Sequence, residues 1–284
     1  MYSSSFAGSA TPRRYRPSFA VRVRPGPGRS RAAVGPHNRD VHSEMLLAYG
    51  RKIDDERFEE AVGSTYLDVY RLLLARATDL GRGLPPLLVT GNAVPDLRLD
   101  ETPTMRLLGE FEGPTTTFAV VEETSLAAVL TVHAGTITAR SMGHDAFVVL
   151  LADRSDLVYS SELDDDPVEE LGILLHFERV DGLEGGVPDR VQWRSGLASR
   201  EVLVAAADEL ASTSTSTIVI PAALAEHWHG CGDRTLVAPA NQPVTGLVDV
   251  ALTLPSGSEP LLIGFDPTRG QLAALPFRVP EASR

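Results

Sequence analysis

Arg194, Ser195 and Gly196 stand together in "VPDRVQWRSGLAS" (187–199), between two strand-like apolar runs and just after a turn built from glycine and proline. An arginine beside a serine offers a fork of N–H donors plus a hydroxyl, and a following glycine lets the backbone come close to a ligand. Such a donor set suits a di- or triphosphate. An ordinary strand end can carry the same residues, and that reading stays open.

A second group lies in "EHWHGCG" (226–232), where His227, His229 and Cys231 alternate. On a strand the three would face one way, as metal ligands must. A closed zinc site needs a fourth ligand, and an alternating triplet lacks the usual loop spacing, so a polar loop or strand end is the simpler reading. "ELDDDPVEE" (162–170) concentrates carboxylates that could hold magnesium or exchange protons. A solvated face explains it as well. A Walker phosphate loop and a Rossmann glycine fingerprint are both absent.

The elements that would position these groups change character along the chain. Residues 1–39 hold eight arginines and no acid among Ser, Pro and Gly, which reads as a disordered basic arm. Residues 40–85 turn helical, with Tyr66, Val69, Tyr70, Leu73 and Leu80 on one face. From 86 onward short apolar runs recur at 117–121, 127–132, 146–151, 171–177, 217–220 and 260–265. The run "LVDVALTL" (247–254) alternates like a half-buried strand. Turn clusters between the runs predict a mainly β domain over 86–284, a jelly roll or distorted barrel, with two β halves (86–160 and 161–284) as one division.

At 284 residues, with 43% hydrophobic and 23% charged residues, the chain is long enough to bury a sizeable core. The net charge is -12, and with eight arginines in the arm the remainder stands at -20. The body should repel nucleic acid and the arm alone could attract it. No apolar run is long enough to span a membrane. The single cysteine excludes an internal disulfide and fits a cytoplasmic setting.

The string "RSGLA" resembles the second motif of the trimeric dUTPase and dCTP deaminase superfamily. "GLVDVALTLPSGSEPLLIGFDPTRGQLAALPF" (246–277) is similar to that family's closing strand pair. "SEMLLAYGRKIDDERFEEAVGSTYLDVYRL" (43–72) resembles the opening helix of the deaminase branch, with Ser64, Tyr66 and Asp68 in the serine-to-aspartate stretch that follows it. The resemblance implies a homotrimer with shared sites that binds a deoxynucleoside triphosphate through Arg194, Ser195 and Gly196, with Mg2+ accompanying the nucleotide. The chain departs from the pattern where chemistry is concerned. "PANQPVTG" (239–246) lacks the aspartate and tyrosine of the dUTPases, and Ala251 stands where the deaminases carry a glutamate base. Asp249 is the remaining candidate carboxylate. The expectation is a nucleotide-binding protein without an evident general base. The alternative is a non-catalytic structural or interaction β module whose basic arm docks on an acidic partner or neighbouring subunit. Both readings leave enzymatic activity open.

Overall fold

The computed structural model describes residues 14–25, 29–30, 62–93, 103–122, 124–153, 169–180, 191–230 and 232–283, with a few positions between 39 and 52. In chain order the elements are β1 (Arg14–Val23), a short ladder of β2 (Arg29–Ser30) and β3 (Val62–Gly63), α1 (Tyr66–Asp79), β4 (Leu87–Asn92), α2 (Pro103–Glu110), β5 (Thr116–Val121), α3 (Leu126–Met142), β6 (Ala146–Asp153) and β7 (Leu171–Val180). There follow β8 (Gln192–Arg194), α4 (Arg200–Ser212), β9 (Ile218–Pro221), α5 (Ala222–Ala225), β10 (Thr235–Ala238), α6 (Gly246–Ala251), β11 (Leu261–Asp266), β12 (Gln271–Pro276) and β13 (Ala282–Ser283).

Two mixed sheets form, one of six strands in the order β13-β1-β7-β6-β4-β5 and one of five in the order β10-β9-β11-β12-β8. In the first, β5, β4 and β6 run parallel, β7 is antiparallel to β6, and β1 is antiparallel to β7. In the second, β10, β9 and β11 run parallel, β12 is antiparallel to β11, and β8 is antiparallel to β12. Leaving β13 aside, the two sheets match strand for strand in order and direction. The chain is therefore a topological duplication, with β8 opening the second repeat and α6 answering to α3.

Helices α3 and α6 lie between the sheets, and their apolar residues share one core with both (Val129, Val132, Val248 and Ala251 with Phe147, Leu175, Leu262 and Leu275). Helix α1 packs Tyr70, Leu73 and Leu74 on the outer face of the first sheet against Leu88, Leu150 and Leu174. Helix α4 covers the second sheet with Leu203, Ala207 and Leu210 against Ile218, Ile263 and Ala274. Alternating helix and sheet layers make an α/β protein, and the jelly roll or barrel is overturned. Antiparallel β architectures do not bury helices between two partly parallel sheets.

Three local expectations fall with it. The arm is not disordered throughout, because Arg14–Val23 is an interior strand paired on both sides. Its arginines are interspersed with residues buried on both faces of the sheet, Tyr15 in one core and Phe19 and Val21 in the other across a bulge between Pro17 and Phe19, so composition concealed a strand. Tyr15 donates its hydroxyl to the His144 carbonyl at 2.6 Å and meets the Phe147 ring edge-on, and Phe147 in turn stacks on Phe177. The run 127–132 belongs to α3, and 247–251 belongs to α6. A helix packed on every side loses the polar stripe that separates it from a buried strand. The helical reading of 66–80 agrees with α1, whose Thr65 accepts from the Asp68 N–H while the Asp68 carboxylate accepts from the Thr65 N–H.

Candidate functional site

In sheets of this kind, ligands collect outside the carboxyl ends of parallel strands. Here the carboxyl ends of both sheets meet at one edge. The residue after β5 that opens α3, Ser125, touches the end of β11, and the segment after β10 touches the end of β6. The N-termini of α3 and α6 both open onto this edge.

At α3, the Ser125 hydroxyl donates to the Phe265 carbonyl at 3.2 Å and accepts from the Phe265 N–H at 2.9 Å. Ser125 is only 6% exposed. Its hydroxyl does not cap the helix; Thr124 does part of that work, accepting from the Leu126 N–H at 3.3 Å. The approach depends on Gly264, because a Cβ there would lie 2.9 Å from the Ser125 carbonyl oxygen and 3.1 Å from the Leu126 Cα.

Charge surrounds this contact. Glu122 accepts from the Thr124 hydroxyl at 3.1 Å and from Arg269 Nη1 at 2.7 Å. Asp266 accepts from the Arg269 N–H at 3.0 Å and lies 3.4 Å from Nη1 of the same guanidinium. No thiol or imidazole contact with Ser125 is recorded among the described residues. Where β9 ends, the second repeat continues directly into α5, Ala222–Ala225.

At α6 the equivalent junction is held by a carboxylate. Asp153, the last residue of β6, accepts from the Val244 N–H at 2.9 Å, the Thr245 N–H at 2.7 Å and the Thr245 hydroxyl at 2.6 Å. Burial pushes its carboxyl up to about 6 against the pull of these three donors. Nearby, Glu169 accepts from Gln242 Nε2 at 2.8 Å and pairs with Arg24. Gln242 Oε1 is buried with no hydrogen-bond partner among the described residues. Of the two helix N-termini, that of α6 is tied down by a buried acid, while that of α3 presents a hydroxyl to main chain alone.

The residues singled out by sequence lie elsewhere. Arg194 ends the edge strand β8, and its guanidinium is bound bidentately by Glu209 at 3.1 and 2.5 Å. Ser195 and Gly196 are exposed, Gly196 at φ 74°. The segment is the strand-to-helix connection leading to Ser199, which caps α4 by accepting from the Val202 N–H. The fork of donors that suggested a phosphate grip is engaged by the Glu209 carboxylate. We expect Arg194→Ala to leave any nucleotide response and the melting curve unchanged, a thermal-shift comparison being the check.

His227 and His229 flank the buried Trp228 on a turn after α5, not on a strand, so the shared face is lost; Trp228 donates to Asp208 at 2.8 Å. Cys231 lies outside the described residues. Among the described residues no set of three His, Cys, Asp or Glu groups is arranged to hold a metal. Asp249 rides on α6 and forms an ion pair with Arg22 at 3.1 Å, while Arg22 also donates to the Asp249 carbonyl at 2.8 Å. That carboxylate is a tie between α6 and β1.

The Ser125 site was missed by sequence reasoning; what the sequence marks is the pair of junctions, not the serine. "AFVVLLAD" and "LLIGFD" are apolar runs that both end in aspartate, one in each repeat, and each ends beside a helix N-terminus.

No protein-family model matches the chain, and no curated protein sequence matches it. Solved structures do. A 3-oxoacyl-(acyl carrier protein) synthase from Burkholderia xenovorans LB400 superimposes with a TM-score of 0.63 at 12% identity, covering 95% of this chain and 96% of that one. The 3-oxoacyl-(acyl carrier protein) synthase III, FabH, of Pseudomonas aeruginosa PAO1 gives 0.59 at 13% identity, covering 94% and 99%. The tetronic acid condensing enzyme AbyA1 gives 0.57 at 14% identity, covering 92% and 99%. These matches replace the dUTPase and dCTP deaminase resemblance, and with it the reasons for expecting a deoxynucleoside triphosphate ligand and a family-type trimer. A five-residue string and a strand pair had carried that resemblance, whereas the new likeness runs the length of the chain. The chain has the thiolase-like α/β fold of the β-ketoacyl synthase III condensing enzymes.

Proposed function

We propose that this chain binds an acyl thioester along the common carboxyl edge of its two sheets and takes part in acyl transfer or condensation there. The observation that carries the reading is the placement of Ser125, a hydroxyl at the N-terminus of the buried helix α3, held against the main chain of β11 where the repeats join. The similar structures named as 3-oxoacyl-(acyl carrier protein) synthases and a condensing enzyme support the substrate class.

The chemistry available is limited and specific. Attack of the Ser125 oxygen on a thioester carbonyl would form a seryl ester and release the thiol, which takes up the hydroxyl proton. A serine needs a base to do this quickly. Among the described residues both of its hydrogen bonds run to Phe265, and none reaches an imidazole. Binding with slow acyl capture is therefore the behaviour these residues favour, and rapid turnover is not.

Acyl-coenzyme A thioesters of graded chain length provide the test. At 100 times its dissociation constant a bound thioester adds about 2.7 kcal/mol to stability, seen as a raised melting temperature. Intact-mass measurement then reads the acyl adduct, expected in the parent protein and missing from Ser125→Ala. No thermal shift with any thioester at millimolar concentration, coenzyme A or carrier-protein linked, removes the reading. A shift without an adduct retains the binding site and discards the acyl-enzyme.

A further inference from the structure

The turn joining β11 to β12 does more than reverse the chain. We propose that this turn, Asp266 to Gly270, is a strap latched beside the N-terminus of α3 by the Arg269–Glu122 ion pair, and that opening the latch admits ligand to Ser125. The latch matters for acyl-thioester entry only on the reading above, but the geometry stands without it.

The two carboxylates that Arg269 meets lie close in sequence to the groups the turn would cover. Glu122 lies three residues before Ser125 and is linked through the Thr124 hydroxyl to the N–H of Leu126, the residue after it. Asp266 directly follows Phe265, whose main chain holds the Ser125 hydroxyl. Arg269 Nη1, 2.7 Å from Glu122 and 3.4 Å from Asp266, therefore joins the two chain segments that form the Ser125 contact.

The burial is asymmetric in the way a latch requires. The side chains of Glu122 and Asp266 are 11% and 3% exposed, whereas that of Arg269 is 60% exposed. The carboxylates are fixed in the body of the protein, and the cation reaches in from solvent. A part-exposed pair of this kind is weak and screened by salt, so it can hold a turn and still release it.

The base of the strap is fixed separately. Gly270 adopts φ 58°, its carbonyl accepts from the Leu197 N–H at 3.2 Å, and a Cβ there would lie 3.0 Å from the Leu197 carbonyl oxygen. The "RSGLA" segment thus acquires a role that its sequence did not suggest. It buttresses the turn that carries Arg269.

Access at position 125 can be read directly. Ser125→Cys is placed in a Cys231→Ser chain, and its alkylation by iodoacetamide is followed by mass spectrometry, with melting curves confirming that each variant is folded. Adding Arg269→Ala or Glu122→Gln should each raise the alkylation rate about fivefold, the factor that an ion pair at the upper end of the exposed range can hold back. Half-molar salt should raise the rate in the parent and leave the Arg269→Ala rate unchanged. Equal rates in parent and both variants overturn the latch, as does acceleration by Arg269→Ala without Glu122→Gln, which would mark a steric cover. Because no thioester enters the assay, its failure is distinct from failure of the proposed function.

Discussion

Asp153→Ala is expected to lower the unfolding free energy by about 3 kcal/mol at neutral pH, because three donors lose their acceptor at a buried junction. The residue is 1% exposed, so water cannot replace the carboxylate without entering the core. The loss falls on the contact between the repeats, since β6 belongs to the first and α6 to the second. Chemical denaturation should show a lower midpoint with the slope retained.

The pH dependence gives this prediction a second arm. Burial raises the carboxyl from 3.8 to about 6, so between those values the folded state holds a proton that the unfolded state has released. Stability attributable to Asp153 therefore rises as pH falls from 7 toward 4, and declines as pH rises through 6. The shift corresponds to about 3 kcal/mol across that window. Asp153→Asn removes the titration while keeping the shape. Subtracting its stability from that of the parent at each pH isolates the effect from every other carboxylate. A flat difference between pH 4 and pH 7 would show that the three donors cancel desolvation, and one of opposite slope that they outweigh it; either overturns the prediction.

Much of the β framework was legible in the sequence, and its arrangement was not. Apolar runs at 117–121, 146–151, 171–177, 217–220 and 260–265 all mark strands, because β-branched and aromatic clusters between turns carry their own signal. The two helices that define the fold, α3 and α6, read as strands. Each is buried on nearly all sides between sheets, and the polar face that would have announced a helix has no place there. The duplication was equally hidden, because equivalent strands share a topology and a burial pattern but few residues.

Chemistry misled in the opposite direction. Arg194, His227 and Asp249 attracted attention because their types are reactive in general, and each proves to serve a local structural need: a surface ion pair, a turn, a tie to β1. Ser125 lies in "EETSLAAVL", a string that no motif distinguishes. Its significance comes from Gly264 and Phe265, some 140 residues away, which bring β11 against it. Only the three-dimensional meeting of the two repeats supplies that information.

That meeting depends on one missing side chain, and Gly264→Ala is expected to cost about 2–3 kcal/mol of stability. The added methyl would sit 2.9 Å from the Ser125 carbonyl oxygen and 3.1 Å from the Leu126 Cα. These are main-chain atoms in the first turn of a buried helix, so no rotamer change can relieve the overlap. Gly83→Ala, with nothing within 4 Å, is the control and should show no comparable loss. The functional effect follows from the same geometry. Separating β11 from α3 by a few tenths of an ångström lengthens the bond from the Phe265 N–H to the Ser125 hydroxyl, now 2.9 Å. The thermal shift induced by a thioester should then fall further than the loss of stability alone explains, and alkylation at position 125 in the reporter chain should accelerate. A Gly264→Ala protein that loses stability yet keeps the full ligand response would place the acyl site elsewhere on the carboxyl edge. One that loses neither would mean that the repeats are not packed as closely at this junction as the Gly264 approach requires.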